Sequence, residues 1–454
     1  MAEEPTPTLA DKSLSAAKRQ LSKLTKGSLT TPLHQPKLIV RFGHLLTGIS
    51  VFLAAILSAA NGSRVQLLEN QALTTFFQMR GTVVAPQDIV ILAIDDQSVS
   101  IAEQYYKTDP QQYAYLKPIK SFPYQRAAYA QVITKLINAS ARSVNLNIVF
   151  DQSSIYCETD DRQLQVVLRR YGRNFTLAAV YNNFKTHQFL FQQLTQPQPI
   201  FRFGAVSIGA VNFPLELDGK IHRLSSEFSP LSDPSTVFNS KMPSFEEAVL
   251  AAAQVNYFQG RGDHIYFWGN GETFRTIPLW YLFDPENWNN CLKQGQFFQN
   301  EIVLIGAIEK LSHDDHRVAV SPRDSMAGVE IYANAIPTLI ANKSISTTIR
   351  SPLWRGLFVL LLVSCSSMVV KIRKQGIQRF LLSIALAGVW GGISYTSFIY
   401  GKLMFPNTIP IIAIALTGFS YLATEVAREK INKHNLLLIF QKYKSSPVVQ
   451  EIVH

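Results

Sequence analysis

Four stretches of the chain are apolar for about the length of a membrane-crossing helix, and the rest is patterned. Residues 353–370 carry one charge, Arg355, while residues 380–399 and 404–423 carry none. The connectors between these three are short, and each run approaches the ~20 residues that span a hydrocarbon core. A fourth run occupies residues 38–60, uninterrupted from Leu45, with Arg41 and His44 at its entrance. The pattern predicts one transmembrane helix at 38–60 and a three-helix transmembrane bundle at 353–423.

Between residues 61 and 352 the period changes. Leu67, Leu68, Ala72, Leu73, Phe76 and Phe77 stand at helical spacing within residues 65–79. Residues 89–94, Ile-Val-Ile-Leu-Ala-Ile, are bounded by Pro86 and Asp95-Asp96, which predicts a strand buried on both faces. A segment with Pro110 and Pro118 follows without a pattern. A helix is predicted over 123–139, with Tyr129, Val132, Ile133, Leu136 and Ile137 on one face; then a strand at 144–150, a helix at 160–171 and a strand at 176–180. Strand and helix in alternation predict parallel, right-handed crossovers. The middle is expected to be more antiparallel, with strands at 206–211 and 221–227 around the turn Leu217-Asp218-Gly219-Lys220. A helix at 245–255, opened by Ser244 with Glu246 and Glu247 in its first turn, a buried strand at 302–305 and a helix at 329–340 complete the reading. The fold class expected is an α/β domain with a mixed, largely parallel sheet and helices on both faces, plus four α-helical transmembrane spans.

Charge orients these pieces. The chain of 454 residues has a net charge of +11. Residues 61–352 hold 25 Lys/Arg and 26 Asp/Glu, so nearly all the excess lies beside the apolar runs. A neutral domain is a poor nucleic-acid partner, whereas basic flanks follow the positive-inside rule. That rule places the N-terminus, the connector 371–379 and the C-terminus in the cytoplasm, and residues 61–352 outside the cytoplasmic (inner) membrane. Residues 1–37 read as a disordered basic tail resting near anionic lipid, and residues 424–454 as a cytoplasmic juxtamembrane helix. A cleavable signal peptide is the rival for the first run, with Ser58-Ala59-Ala60 as its cleavage site. The long basic segment before it favours an uncleaved anchor. Of three cysteines, Cys365 lies in a span. Cys157 and Cys291 lie in the outside domain, where two unpaired thiols are the favoured reading.

The ordered pieces resemble the second-type CHASE extracytoplasmic sensor domain. The residues that carry the likeness are Ile89 to Asp96 with Ser98; Phe122-Pro123-Tyr124 with Arg126 and Tyr129-Ala130; Ile148-Val149-Phe150; Ile302 to Gly306; and Gly328 to Ile336. One departure is Tyr332, where that family usually has His. The layout of one span, a domain of this length and three spans is similar too, and the likeness covers residues 65–423. The tail residues Phe440, Tyr443, Ser446-Pro447, Val448-Val449 and Ile452 resemble the joint before class III nucleotide cyclases. The resemblance implies an input module for a cyclase or kinase. The 454 residues hold no cyclase core, kinase core or phosphoacceptor motif, which fits either a stand-alone sensor or part of a longer receptor.

Candidate sites are few. Asp95 and Asp96 end the first strand, Asp151 follows the next, and Arg126 opens the helix between them. Carboxyl ends of parallel strands are where open α/β sheets bind ligands, so the four form a candidate ligand pocket; helix caps with a structural ion pair are the competing, favoured reading. His313-Asp314-Asp315-His316 is a weak metal candidate, since adjacent side chains diverge and metal sites draw ligands from separate elements. No metal or cofactor is expected. Arg261-Gly262-Asp263 is too short to carry a function. A hydrolase triad of Ser98, His313 and Asp151 lacks a Gly-x-Ser-x-Gly elbow. Gly388 and Gly392, like Ser383, Ala387 and Gly391, have the small-residue spacing that lets helices approach, within the bundle or in a dimer. The expectation is a membrane sensor that binds an unknown extracytoplasmic ligand and acts as a homodimer on a cytoplasmic output. The alternatives are an anchored extracytoplasmic hydrolase or a transport accessory subunit.

Overall fold

The computed structural model describes residues 35–185, 190–204, 206–230, 242–257, 262–308, 314–321 and 325–444. The basic tail up to residue 34, His313, Arg261 and the cyclase-joint residues from Ser446 onward lie outside them. In chain order come α1 (Gln35–Ala60), α2 (Ser63–Arg80), β1 (Ile89–Ile94), α3 (Asp96–Thr108), α4 (Arg126–Asn138), β2 (Ser143–Leu146), α5 (Glu158–Tyr171), β3 (Phe175–Lys185), β4 (Leu190–Thr195), β5 (Ser207–Ala210), α6 (Phe245–Ala252), β6 (Arg275–Pro278), β7 (Ile302–Ala307), β8 (Asp315–Arg317), β9 (Ser325–Ala327), α7 (Gly328–Ile340), β10 (Ser346–Thr347), α8 (Pro352–Lys371), α9 (Gly376–Thr396), β11 (Leu403–Met404) and α10 (Thr408–Lys444). They form two compact units. One holds residues 1–65, 349–393 and 406–454; the other holds residues 66–348 with 394–405.

The second unit is built on one sheet, ordered β4-β3-β2-β7-β1-β6, with β5 also paired to β3. Every pairing is parallel except β3 with β4. The continuous apolar strands at its centre have a simple cause. In β1, Ile89 and Ile91 enter the core on one face, and Val90, Leu92 and Ile94 enter the core on the other. In β7, Ile302 and Leu304 alternate with Val303 and Ile305 in the same way. Period-two alternation in a strand covered on both faces leaves no position for a polar residue. Each such side chain contributes about 1.5–3 kcal/mol by burial. Helices α2, α6 and α7 supply one core, and α4 and α5 the other.

Two details differ from the sequence reading. Residues 206–211 do form a strand, β5, but it runs parallel to β3. Residues 221–227 give only isolated bridges at Ile221 and a 3-10 turn, Ser225–Glu227; the antiparallel partner is β4. The patternless segment after β1 begins as α3, capped by Asp95, whose carboxylate accepts the Ser98 amide at 2.7 Å. At the end where the chain meets the spans, β10 and β11 form a short parallel pair. It is closed by Ser346 N–H to Lys402 C=O (2.8 Å) and Thr348 N–H to Met404 C=O (3.0 Å).

In the first unit, α1, α8, α9 and α10 pack around Val51, Ala54, Val359, Val363, Ala387, Ala413 and Ile414. All four helices are long and apolar enough to cross a membrane. Close approaches occur at Gly356, where a Cβ would lie 2.9 Å from that of Ala59, and at Gly418, where one would collide with Ser383. Cys157, Cys291 and Cys365 are all exposed free thiols.

Candidate polar sites at the carboxyl edge of the sheet

Parallel strands joined by crossover helices put every strand's carboxyl end, and the N-terminus of each covering helix, at one edge. Asp95 follows β1 and Asn147 follows β2 at this edge. Ser244, bridged to Ala210 at the end of β5, caps α6 there. Polar groups gather on both faces of that edge.

On the α4–α5 face the network is closed. The Asp160 carboxylate accepts the amides of Arg126 (2.8 Å) and Ala127 (2.8 Å) and the Ser154 hydroxyl (2.5 Å). Asp161 accepts the Ser154 amide at 2.9 Å and the Arg126 Nε at 3.4 Å. Arg126 also donates to the Gln152 carbonyl at 3.1 Å and stacks 4.5 Å from the Phe150 ring. Helix α4 carries no capping side chain at Gln125, so Asp160, 34 residues away, satisfies its first amides. Thus Arg126 is held by Asp161, Asp95 caps α3, and Asp96 and Asp151 are exposed. Neither Asp96 nor Asp151 has an ion-pair partner among the described residues.

On the α6–α7 face lies a second cluster that sequence reasoning missed. Glu246 is fully buried and accepts the Ser225 hydroxyl and the Ser226 amide, the latter at 3.0 Å. Tyr332, buried in α7, sits between the rings of Phe213 (4.6 Å) and Phe245 (4.8 Å), and its hydroxyl approaches this group without completing a hydrogen bond. Asp314 accepts from Asn147 Nδ2 (3.3 Å) and hydrogen-bonds His316 Nε2 (3.1 Å). Gly328 opens α7 so close to Asp314 that a Cβ would lie 2.5 Å from its carboxylate. The only sequence signal was Glu246 in a helix first turn, which does not distinguish a solvated acid from a buried one.

Burial pushes the Glu246 carboxyl above its ordinary value of 4.5. The folded protein therefore binds this proton at pH values where the unfolded chain has released it. Its contribution is fully present below pH 4.5 and is lost as pH rises through the raised value. Glu246→Gln is expected to flatten the fall in unfolding free energy over that window. Urea unfolding from pH 4.5 to 8 checks this; parallel curves for the variant and the parent would refute it.

Other expectations are placed as follows. His316 pairs with Asp314, and no group of three His, Cys, Asp or Glu among the described residues could hold a metal. The Ser98 hydroxyl is buried and donates to the Ala93 carbonyl at 3.4 Å, as a helix-start residue rather than a nucleophile in a cleft. Gly388 and Gly392 face open space, while Ser383 and Ala387 face the bundle.

No curated protein and no solved structure matches the chain. A family model does, the CHASE2 domain, over residues 49–370. This range takes in the strands β1 to β7, both polar clusters and most of α1 and α8. The chain belongs to the CHASE2 domain family, a family of extracytoplasmic sensor domains.

Proposed function

We propose that this multi-pass membrane protein is the input module of a signal-transduction system. Its α/β domain faces the extracytoplasmic side, both termini face the cytoplasm, and the chain works as a homodimer that drives a cytoplasmic output and has no catalytic activity of its own. The signal would act at the carboxyl edge of the sheet, where Asp96 and Asp151 are open to a ligand beside the committed Asp95 and Arg126. The observation that carries the relay is α10. It is one uninterrupted helix of 37 residues, or about 55 Å, against a hydrocarbon core of about 30 Å. Roughly 25 Å of it extends beyond the core as a rigid rod. Leu436, Leu437 and Leu438 on that extension are exposed on the single chain, which favours a second helix beside it. The outward Gly388 and Gly392 favour the same pairing within the membrane.

Topology is the first test. Reporter fusions after Pro352 and Lys402 should report outside, and fusions after Lys374 and Lys430 inside. A cytoplasmic signal from any fusion within residues 61–352 would sink the sensor reading.

A further inference from the structure

Three cations of the α/β unit converge on one aromatic ring, far along the chain from one another. Arg80 ends α2 with its Cζ 4.5 Å from the Tyr266 ring centre. Lys402, in the loop after α9, places Nζ 4.7 Å from the same ring. Lys343, just past α7, places Nζ 5.7 Å from it and 4.4 Å from the Trp268 ring. All three are half-buried. Among the described residues no ion pair involves any of them.

A single cation over an aromatic face is an ordinary contact. Three around one ring repel each other, and like charges held together without a counter-ion cost stability. Burial, and then the charges of Lys343 and Arg80, lower the Lys402 amine below its ordinary value. Two further donors here are unsatisfied: Arg80 Nη1 and Trp268 Nε1 are buried with no acceptor. Arg, Lys and Trp side chains only donate, so the cluster lacks acceptors altogether. Buried unpaired donors in a native fold ask for a missing partner.

The position narrows what that partner is. Phe76 and Phe77, on the last turns of α2, pack on Tyr395 (5.5 Å) and Phe398 (5.2 Å). These belong to the end of the apolar stretch Gly376–Gly401, and Lys402 is the next residue. The cluster therefore lies where apolar helix gives way to polar chain, at headgroup depth. We propose that Arg80, Lys343 and Lys402 form a binding site for the phosphate group of a phospholipid headgroup, with Arg80 Nη1 and Trp268 Nε1 as its neutral-geometry donors. A tetrahedral oxyanion accepts from several donors at once and removes the mutual repulsion.

The test uses the full chain in detergent micelles, titrated with short-chain phosphatidylglycerol, with an uncharged short-chain glycolipid and with inorganic phosphate. Binding is read as intrinsic tryptophan fluorescence and as a rise in thermal midpoint. The phospholipid should bind, the glycolipid should not, and inorganic phosphate should bind more weakly. The double variant Lys343→Gln/Lys402→Gln leaves the Arg80 hydrogen bonds to backbone carbonyls intact. It should weaken phospholipid binding about tenfold or more, and Lys343→Arg/Lys402→Arg should restore it. Equal response to inorganic phosphate and phospholipid would overturn the headgroup assignment. No response, or one unchanged in the Gln variant, would overturn the site.

Discussion

Asp160→Ala is expected to cost the α/β domain about 3 kcal/mol or more, while Asp151→Ala costs less than about 0.5 kcal/mol. The two acids lie nine positions apart at the same sheet edge and differ in what they hold. Asp160 is buried and accepts two amides and a hydroxyl. Hydrogen bonds to a charged acceptor contribute about 1.5–3 kcal/mol each, and unmatched buried donors add to the loss. Removing all three at once would exceed 3 kcal/mol if no water entered; water reaching the vacated space sets the lower figure. Asp151 is exposed, and surface changes away from such networks stay within about 0.5 kcal/mol. In a domain of this size the Asp160 loss corresponds to a midpoint drop of roughly 6–12 °C. Asp160→Asn, which keeps one acceptor oxygen, should fall between. Equal midpoints for Asp160→Ala and Asp151→Ala would show that the network carries no stability, and would return Arg126 to ligand recognition.

The second large effect concerns α10. Joined at Val449 to a class III cyclase core that works only as a dimer, the chain is expected to confer activity that depends on helical phase. Insertions after Asn432 lie within the helix. Two residues turn whatever follows by about 200°, three by about 300° and four by about 40° net, at 3.6 residues per turn. Two should change activity most and four least, although four displace the output farthest, by about 6 Å. The ordering thus separates rotation from length. The same activity for all three insertions would mean a flexible tether, and relay through a rigid helix would be wrong.

The legible parts of this molecule share a cause. The runs at β1 and β7 and the four spans are environments of one polarity along their whole length, so each residue reports the same burial. What stayed hidden depends on which distant residues meet. Nothing near Arg126 marks Asp160 as the cap of its helix, because the pairing crosses 34 positions and exists only once α4 and α5 pack. Glu246 has the sequence signature of a solvated first-turn acid and is buried by the approach of Ser225. Strand β5 was legible as a strand, but its direction is set by β3 beside it. Gly388 and Gly418 look alike in sequence; only the packed bundle separates open space from contact with Ser383.

The small β10–β11 pair has a mechanical meaning. It fastens the segment that leads from α7 into α8 to the segment that leads out of α9 into α10. A pull on the domain at Ser346 is therefore felt at Met404 with almost no slack, since the two are stitched by backbone bonds rather than joined through some 50 residues of helix. The linkage works as a yoke: it removes one degree of freedom, so that α8 and α10 are driven together, and it turns a small shift at the end of α7 into a common stroke on both.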